Sequence, residues 1–120
     1  MLWAHGGALA AVEPIASGTG FAVGPAGAIL TNAHVVSGCI NVTARIGGLE
    51  SPAQLVSIDS QNDLALLRVS ESFRSVLPLR EGARVQLGEA VVAFGYPLQG
   101  VVSTSLNMTT GNISALDRHR

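Results

Sequence analysis

Hydrophobic and polar residues alternate with a period of two along most of the chain. In the clearest case Ile40, Val42, Ala44 and Ile46 fall on one side of an extended segment, with polar residues between them. Because successive side chains of a β-strand point to opposite faces, this pattern predicts a half-buried strand. Similar short segments predict further strands at 18–23, 28–31, 53–58, 63–69, 90–94 and 104–115.

Turn-forming residues separate the predicted strands. Gly47 and Gly48 stand between 40–46 and 53–58 and predict a hairpin, since glycine readily takes the positive φ values of tight turns. Segment 63–69 is apolar on both faces, which predicts burial on both sides. With no long helical pattern and no repeat at a fixed period, the predicted fold class is all-β, an antiparallel barrel or sandwich.

The composition indicates that apolar surface is left uncovered. Hydrophobic residues make up 48% of the 120 residues and charged residues 12%, whereas about 25% charged residues is usual for soluble domains. A chain of this length forms one small domain. With so few charges, such a domain is expected to expose apolar patches of the kind that mark an interface.

Several classes of partner are disfavoured by the sequence. The net charge of -1, with scattered arginines as its only basic side chains besides histidine, does not favour nucleic acid. No apolar run reaches about 18 residues, so no membrane span is predicted, and no intact signal peptide is recognised. Cys39 is the single cysteine and predicts no internal disulfide. Neither zinc-ligand spacing nor a phosphate-binding loop is present, so no metal and no cofactor are expected.

Two residues draw attention as candidates for chemistry, His34 and Asp63. Taken alone, a histidine after an apolar strand is most often a core or surface residue without a catalytic role. Asp63, directly after Asn62, is by itself typical of a turn. Their wider sequence context therefore decides between these interpretations.

Four motifs in order supply that context. They are G-T-G-F-A-V at 18–23, T-N-A-H-V-V at 31–36, D-L-A-L-L at 63–67 and V-A-F-G-Y-P at 92–97. Together they resemble bacterial trypsin-like serine proteases of the HtrA/Deg type, over about residues 17–116. The resemblance implies a six-stranded antiparallel β-barrel, the first barrel of that fold, followed by the first strand of a second barrel. It divides the chain into an N-terminal segment 1–16, a first barrel 17–97, and a linker with the truncated start of the second barrel at 98–120.

The resemblance also implies roles for the two candidates. His34 matches the histidine and Asp63 the aspartate of the catalytic triad of a serine endopeptidase, whose substrate is a polypeptide. A serine hydroxyl attacks only as it gives its proton to a base, and histidine can accept and return that proton near neutral pH. A carboxylate on the other ring nitrogen fixes the tautomer. Two predicted strands lie between the residues, so the chain can return and bring them together.

The nucleophile is expected to lie outside this chain. The family's G-N-S-G-G motif has no match, and Gly111, Asn112, Ile113 and Ser114 lack its two final glycines. The 120 residues alone are therefore expected to be inactive. A pseudoprotease, or a half-barrel acting as a binding or structural module, is the alternative. The compartment stays open, although the resemblance is to proteins that often act in the cell envelope. We also expect self-association, through exposed apolar surface or the 104–115 strand, which would otherwise pair within the second barrel.

Overall fold

Nine β-strands and one short helix make up the regular structure of residues 2–5, 14–39, 41–96 and 105–117, the part that this computed structural model describes. The chain order is β1 (Leu2–His5), β2 (Pro14–Gly18), β3 (Phe21–Gly24), β4 (Ala28–Thr31), α1 (Ala33–Val36), β5 (Asn41–Ile46), β6 (Leu49–Asp59), β7 (Leu64–Arg68), β8 (Ala90–Gly95) and β9 (Asn107–Asn112).

Seven of these strands form one antiparallel sheet, in the order β2-β1-β5-β6-β7-β4-β3. The all-β prediction is confirmed, and the predicted strand at 28–31 matches β4. The segment predicted as one strand at 18–23 instead contains the end of β2, a break at Thr19 and Gly20, and most of β3. The sequence did not predict β1, which pairs with both β2 and β5.

The predicted hairpin is present and centres on Gly47 and Gly48. Their φ values of 58° and 87° reverse the chain, so that Ile46 pairs with Leu49. Strand β6 is longer than predicted because it has two successive partners. Its first half pairs with β5, and its second half, from Gln54 to Asp59, pairs with β7.

The core forms where alternate residues of the central strands meet α1. Its buried members are Ile29, Val35, Val36, Val42, Ala44, Ala65, Leu67 and Val69. The inward side predicted for β5 is confirmed at Val42 and Ala44, whereas Ile40 lies outside the described residues.

The prediction of burial on both faces at 63–69 is wrong. Ala65 and Leu67 are buried, but Leu64 is 41% exposed and Arg68 also faces solvent. Among the described residues, the core covers only one face of β7. Its apolar run is therefore half-buried, as is usual in an antiparallel sheet with one face on the core and the other in solvent.

Strands β8 and β9 form a separate two-stranded antiparallel sheet, in which Ala90 pairs with Asn112 and Gly95 with Asn107. The resemblance placed 90–94 in the first barrel; within the described residues this strand pairs with β9 and not with the larger sheet. The predicted strand at 104–115 is shorter, spans 107–112 and folds back onto β8. This hairpin is joined to the larger sheet where the Tyr96 N–H donates to Thr19 Oγ1 at 2.9 Å.

The large sheet curls, but it does not close into a six-stranded barrel within the described residues. Strand β3 is at one edge of the sheet, four strands away from β5. Phe21 and Ala22 of β3 nevertheless line one cavity of about 220 Å³ together with Ala44 and Ile46 of β5, because the sheet curls. The barrel prediction is confirmed in its all-β, antiparallel architecture, and within the described residues the larger sheet is open and has seven strands. No helix in the described part of the chain is long and apolar enough to cross a membrane.

Candidate active site

His34 is carried by α1, which begins one residue after the end of β4. Thr31, the last residue of β4, is buried and its hydroxyl donates to the Thr19 carbonyl at 2.8 Å, which anchors the strand end. The helix packs closely on β2 because Gly18 has no side chain there. A Cβ at Gly18 would lie 2.7 Å from Val35 Cγ2, and real carbon contacts are about 3.5–4.0 Å.

Asp63 is held by a tight turn between β6 and β7. The carboxylate of Asp59 accepts the Asn62 N–H at 3.2 Å and the Asn62 side-chain amide at 2.8 Å, which braces the turn. Asp63 itself has a φ of 56°. Aspartate and asparagine adopt this left-handed conformation more readily than most residues other than glycine.

The pairing of β4 with β7 brings the two segments together. Thr31 pairs with Ala65, so the residues that follow β4 lie beside those that precede β7. The 29-residue separation between His34 and Asp63 is therefore spanned by the β5–β6 hairpin and the return along β6.

Asp63 contacts His34 through both oxygens of its carboxylate. Oδ2 lies 2.7 Å from His34 Nδ1, and Oδ1 accepts the main-chain N–H of His34 at 2.8 Å. A carboxylate can only accept a hydrogen bond, so Nδ1 of the neutral ring carries the hydrogen. Nε2 is then the ring nitrogen with a lone pair, ready to accept a proton.

The same contacts hold the pKa of Asp63 below its ordinary value of 3.8. The main-chain N–H of His34 is the largest cause, followed by the hydrogen bond from the imidazole, while partial desolvation opposes both. Because the folded pKa is the lower one, the contribution of the charged carboxylate to stability is present above pH 3.8. It is lost as the pH falls through the lowered folded pKa.

Both side chains remain accessible to a reactant. The His34 side chain is 67% exposed and that of Asp63 42% exposed. An accessible imidazole, oriented and polarised by a carboxylate, can act as a general base and then as a general acid.

The remaining sequence candidates lie apart from this pair. Ser114 is exposed in the segment after β9. Cys39 is half-buried, with its Sγ 3.8 Å from the Ser37 carbonyl. In the described ranges, no group of three or more His, Cys, Asp or Glu side chains is placed to hold a metal ion.

Asn32, at the N-terminal end of α1, was not among the site residues predicted from the sequence. Its side-chain amide donates to the main-chain carbonyl of Asp63 at 3.1 Å. The only signal in the sequence is an asparagine directly before a short helical turn, which ordinarily indicates a helix cap.

Comparison with known proteins relates the chain to serine proteases. The model of the trypsin-like peptidase domain matches residues 18–120. A mitochondrial serine protease HTRA2 of Drosophila virilis is 37% identical over 111 residues, covering 88% of this chain and 25% of that protein. A probable periplasmic serine endoprotease, DegP-like, of Hahella chejuensis is 36% identical over 107 residues, covering 88% of this chain and 22% of its own length.

A solved structure shows the same likeness in three dimensions. The crystal structure of the serine endoprotease from Yersinia pestis superposes with a TM-score of 0.77 at 28% sequence identity. The match covers 98% of this chain and 41% of the Yersinia chain. The chain thus spans a quarter or less of the length of the two curated relatives named above.

Proposed function

Since the chain belongs to the trypsin-like peptidase domain family, we propose that it supplies the general base, His34, and the orienting carboxylate, Asp63, of a serine endopeptidase. The substrate is a polypeptide. Nε2 of His34 takes the proton of an attacking serine hydroxyl and returns it to the leaving amine. Asp63 holds the ring through Nδ1 and stabilises the imidazolium that forms between these steps.

The observation that carries this proposal is the two-point contact between Asp63 and His34. One carboxylate oxygen binds the ring and the other binds the main chain of the same residue, at 2.7 and 2.8 Å. An isolated surface ion pair is worth little and needs no such geometry. Fixing both the ring and its backbone orients Nε2, and a general base depends on that orientation.

The serine and the donors that stabilise the oxyanion are not assigned to any residue of this chain. Its 120 residues contain no G-N-S-G-G motif. The proposal therefore concerns the protein in which these residues act together with such a motif, and the 120-residue chain by itself is expected to be inactive.

The test begins with the gene that encodes the chain. Reading it beyond the codon for Arg120 is expected to give a G-N-S-G-G motif, and the longer product is expected to be labelled by a serine-directed phosphonate. His34→Ala removes the base and should reduce the labelling rate at least about 100-fold. A folded longer product that takes no label, or labelling that survives His34→Ala, would overturn the assignment.

A binding or structural module without catalysis is the second candidate. The close contact between His34 and Asp63 does not favour it, because a protein-binding surface does not need an oriented imidazole. A reading frame that continues without a nucleophilic serine, or stops after Arg120, would favour this candidate instead.

The chain is also proposed to self-associate, and a second copy is the partner that we assign to the β8–β9 hairpin. Val92, Phe94 and Met108 share one face of this hairpin, since Phe94 pairs with Met108 and Val92 lies two residues along the same strand. All three are more than 50% exposed. Burying such a face releases about 25 cal/mol per Å² of apolar surface.

Light scattering of the 120-residue chain across a range of concentrations tests this partner. Phe94→Lys on the apolar face should shift the chain to monomer. Thr109→Lys, on the opposite face of β9, is the matched control and should leave the association unchanged. A monomeric wild-type chain at high concentration would contradict self-association.

The division of the chain at 1–16, 17–97 and 98–120 stays a prediction. The pairing of β8 with β9 favours a boundary between β7 and β8, and the pairing of β1 with β5 favours including residues 2–5 in the first unit.

A further inference from the structure

Asn32 stands at the N-cap position of α1 but does not act as the cap. Its φ and ψ of -84° and 142° are those of a cap residue, yet its side chain makes no hydrogen bond to the helix. Asparagine at this position ordinarily accepts an N–H from the first turn. Here that N–H, from His34, is bound instead by Oδ1 of Asp63.

The side chain of Asn32 is directed to the partner segment. Its Nδ2 donates to the main-chain carbonyl of Asp63 at 3.1 Å, across 31 residues of sequence. Asp63 therefore caps the helix of His34, while the residue at the cap position binds Asp63. The two segments are joined by a reciprocal pair of hydrogen bonds between side chain and main chain.

The hydrogen bond from Asn32 stabilises the left-handed backbone of Asp63. A φ of 56° is a sparsely populated conformation for a residue with a side chain. A hydrogen bond to the Asp63 carbonyl restricts the peptide plane that follows the residue. It thus favours the backbone conformation in which the carboxylate contacts both Nδ1 and the main-chain N–H of His34.

From this geometry we propose that Asn32 is a positioning residue, which holds Asp63 in the conformation that orients the His34 imidazole. The proposal rests on the function proposed above for His34 and Asp63. It assigns to Asn32 no contact with the substrate.

Two substitutions separate this role from helix capping. Asn32→Ser keeps a good N-cap residue, but its hydroxyl is too short to replace the amide at the Asp63 carbonyl. Asn32→Gln keeps the amide donor on a side chain longer by one methylene and is the poorer cap. A capping role predicts damage from glutamine, whereas a positioning role predicts damage from serine.

The first readout uses the 120-residue chain and needs no activity. Nitrogen-15 chemical shifts of the His34 ring report which nitrogen carries the hydrogen. In the wild type we expect hydrogen at Nδ1. Asn32→Ser should lower the Nδ1-H population with little change in melting temperature, and Asn32→Gln should recover at least part of it.

The second readout is the rate of labelling by the phosphonate in the longer, active product. Asn32→Ser should slow labelling about two- to thirteenfold, the effect of one net hydrogen bond of about 0.5–1.5 kcal/mol. Unchanged ring shifts and labelling in Asn32→Ser would overturn the proposal. So would a Gln variant that recovers neither. A wild type that is never labelled would reject the proposed function, while the ring shifts would still decide the role of Asn32.

Discussion

Replacing Gly27 by alanine is expected to reduce the free energy of unfolding by at least about 3 kcal/mol. Gly27 has a φ of 88°, and a Cβ there would lie 2.1 Å from the Val69 carbonyl oxygen and 2.9 Å from that of Glu71. Both are main-chain atoms, so no side chain can move aside. The carbonyl of Gly27 also accepts a hydrogen bond from the Val69 N–H at 2.9 Å. A backbone shift that relieved the clash would break this bond.

Thermal and urea unfolding followed by circular dichroism measure the loss, which should appear as a fall in melting temperature of roughly 12 °C or more. Gly48→Ala is the matched control. Gly48 has a φ of 87°, but nothing lies within 4 Å of the position its Cβ would take. Gly48→Ala therefore measures only the cost of a left-handed backbone at alanine. Its free energy of unfolding is expected to fall by about 1–2 kcal/mol. Equal losses in the two variants would contradict the steric explanation.

Changing Asp63 to asparagine is expected to lower kcat of the proposed longer, active product about 10⁴-fold. Asparagine tolerates the left-handed φ of residue 63, so the turn should persist. Its amide, however, would present hydrogens to Nδ1 of His34. The ring would then carry its hydrogen on Nε2, and the nitrogen that faces the serine would no longer accept a proton.

Hydrolysis of a chromogenic peptide by the longer product measures this effect, and nitrogen-15 shifts of the His34 ring in the 120-residue chain check the change of tautomer. Asp59→Asn is the control in the same turn. An asparagine there keeps an oxygen for the Asn62 N–H, so activity should stay within about fivefold of the wild type. A loss below tenfold in Asp63→Asn would show that the carboxylate is not needed to orient the ring.

The sequence predicted the local features of this fold well. The alternation at 41–46, the two glycines of the hairpin and the extent of β4 depend on neighbouring residues, and the structure confirms them. His34 and Asp63 could be proposed because their motifs are local, and the structure brings them into contact. Whether they are catalytic stays a prediction.

The features that were missed depend on residues far apart in sequence. Leu64 looked buried because its strand is apolar on both sides, but no described element covers its outer face. Hydrophobic and polar residues do not alternate clearly in segment 90–94, so its sequence does not indicate which strand it pairs with. Its separation from the larger sheet is seen only in its pairing with β9. Asn32 was not predicted as part of the site, since nothing local in the sequence shows that its amide reaches the carbonyl of Asp63.

The bridge from Thr19 to Tyr96 gives the hairpin a direct mechanical link to the histidine segment. Thr19 accepts one hydrogen bond from Tyr96 and another from Thr31, and Thr31 stands three residues before His34. A displacement of the hairpin would therefore pull on the very stretch of backbone that carries the imidazole. A second copy or further polypeptide bound to the β8–β9 hairpin would therefore be able to change the position of the His34 imidazole without contacting it.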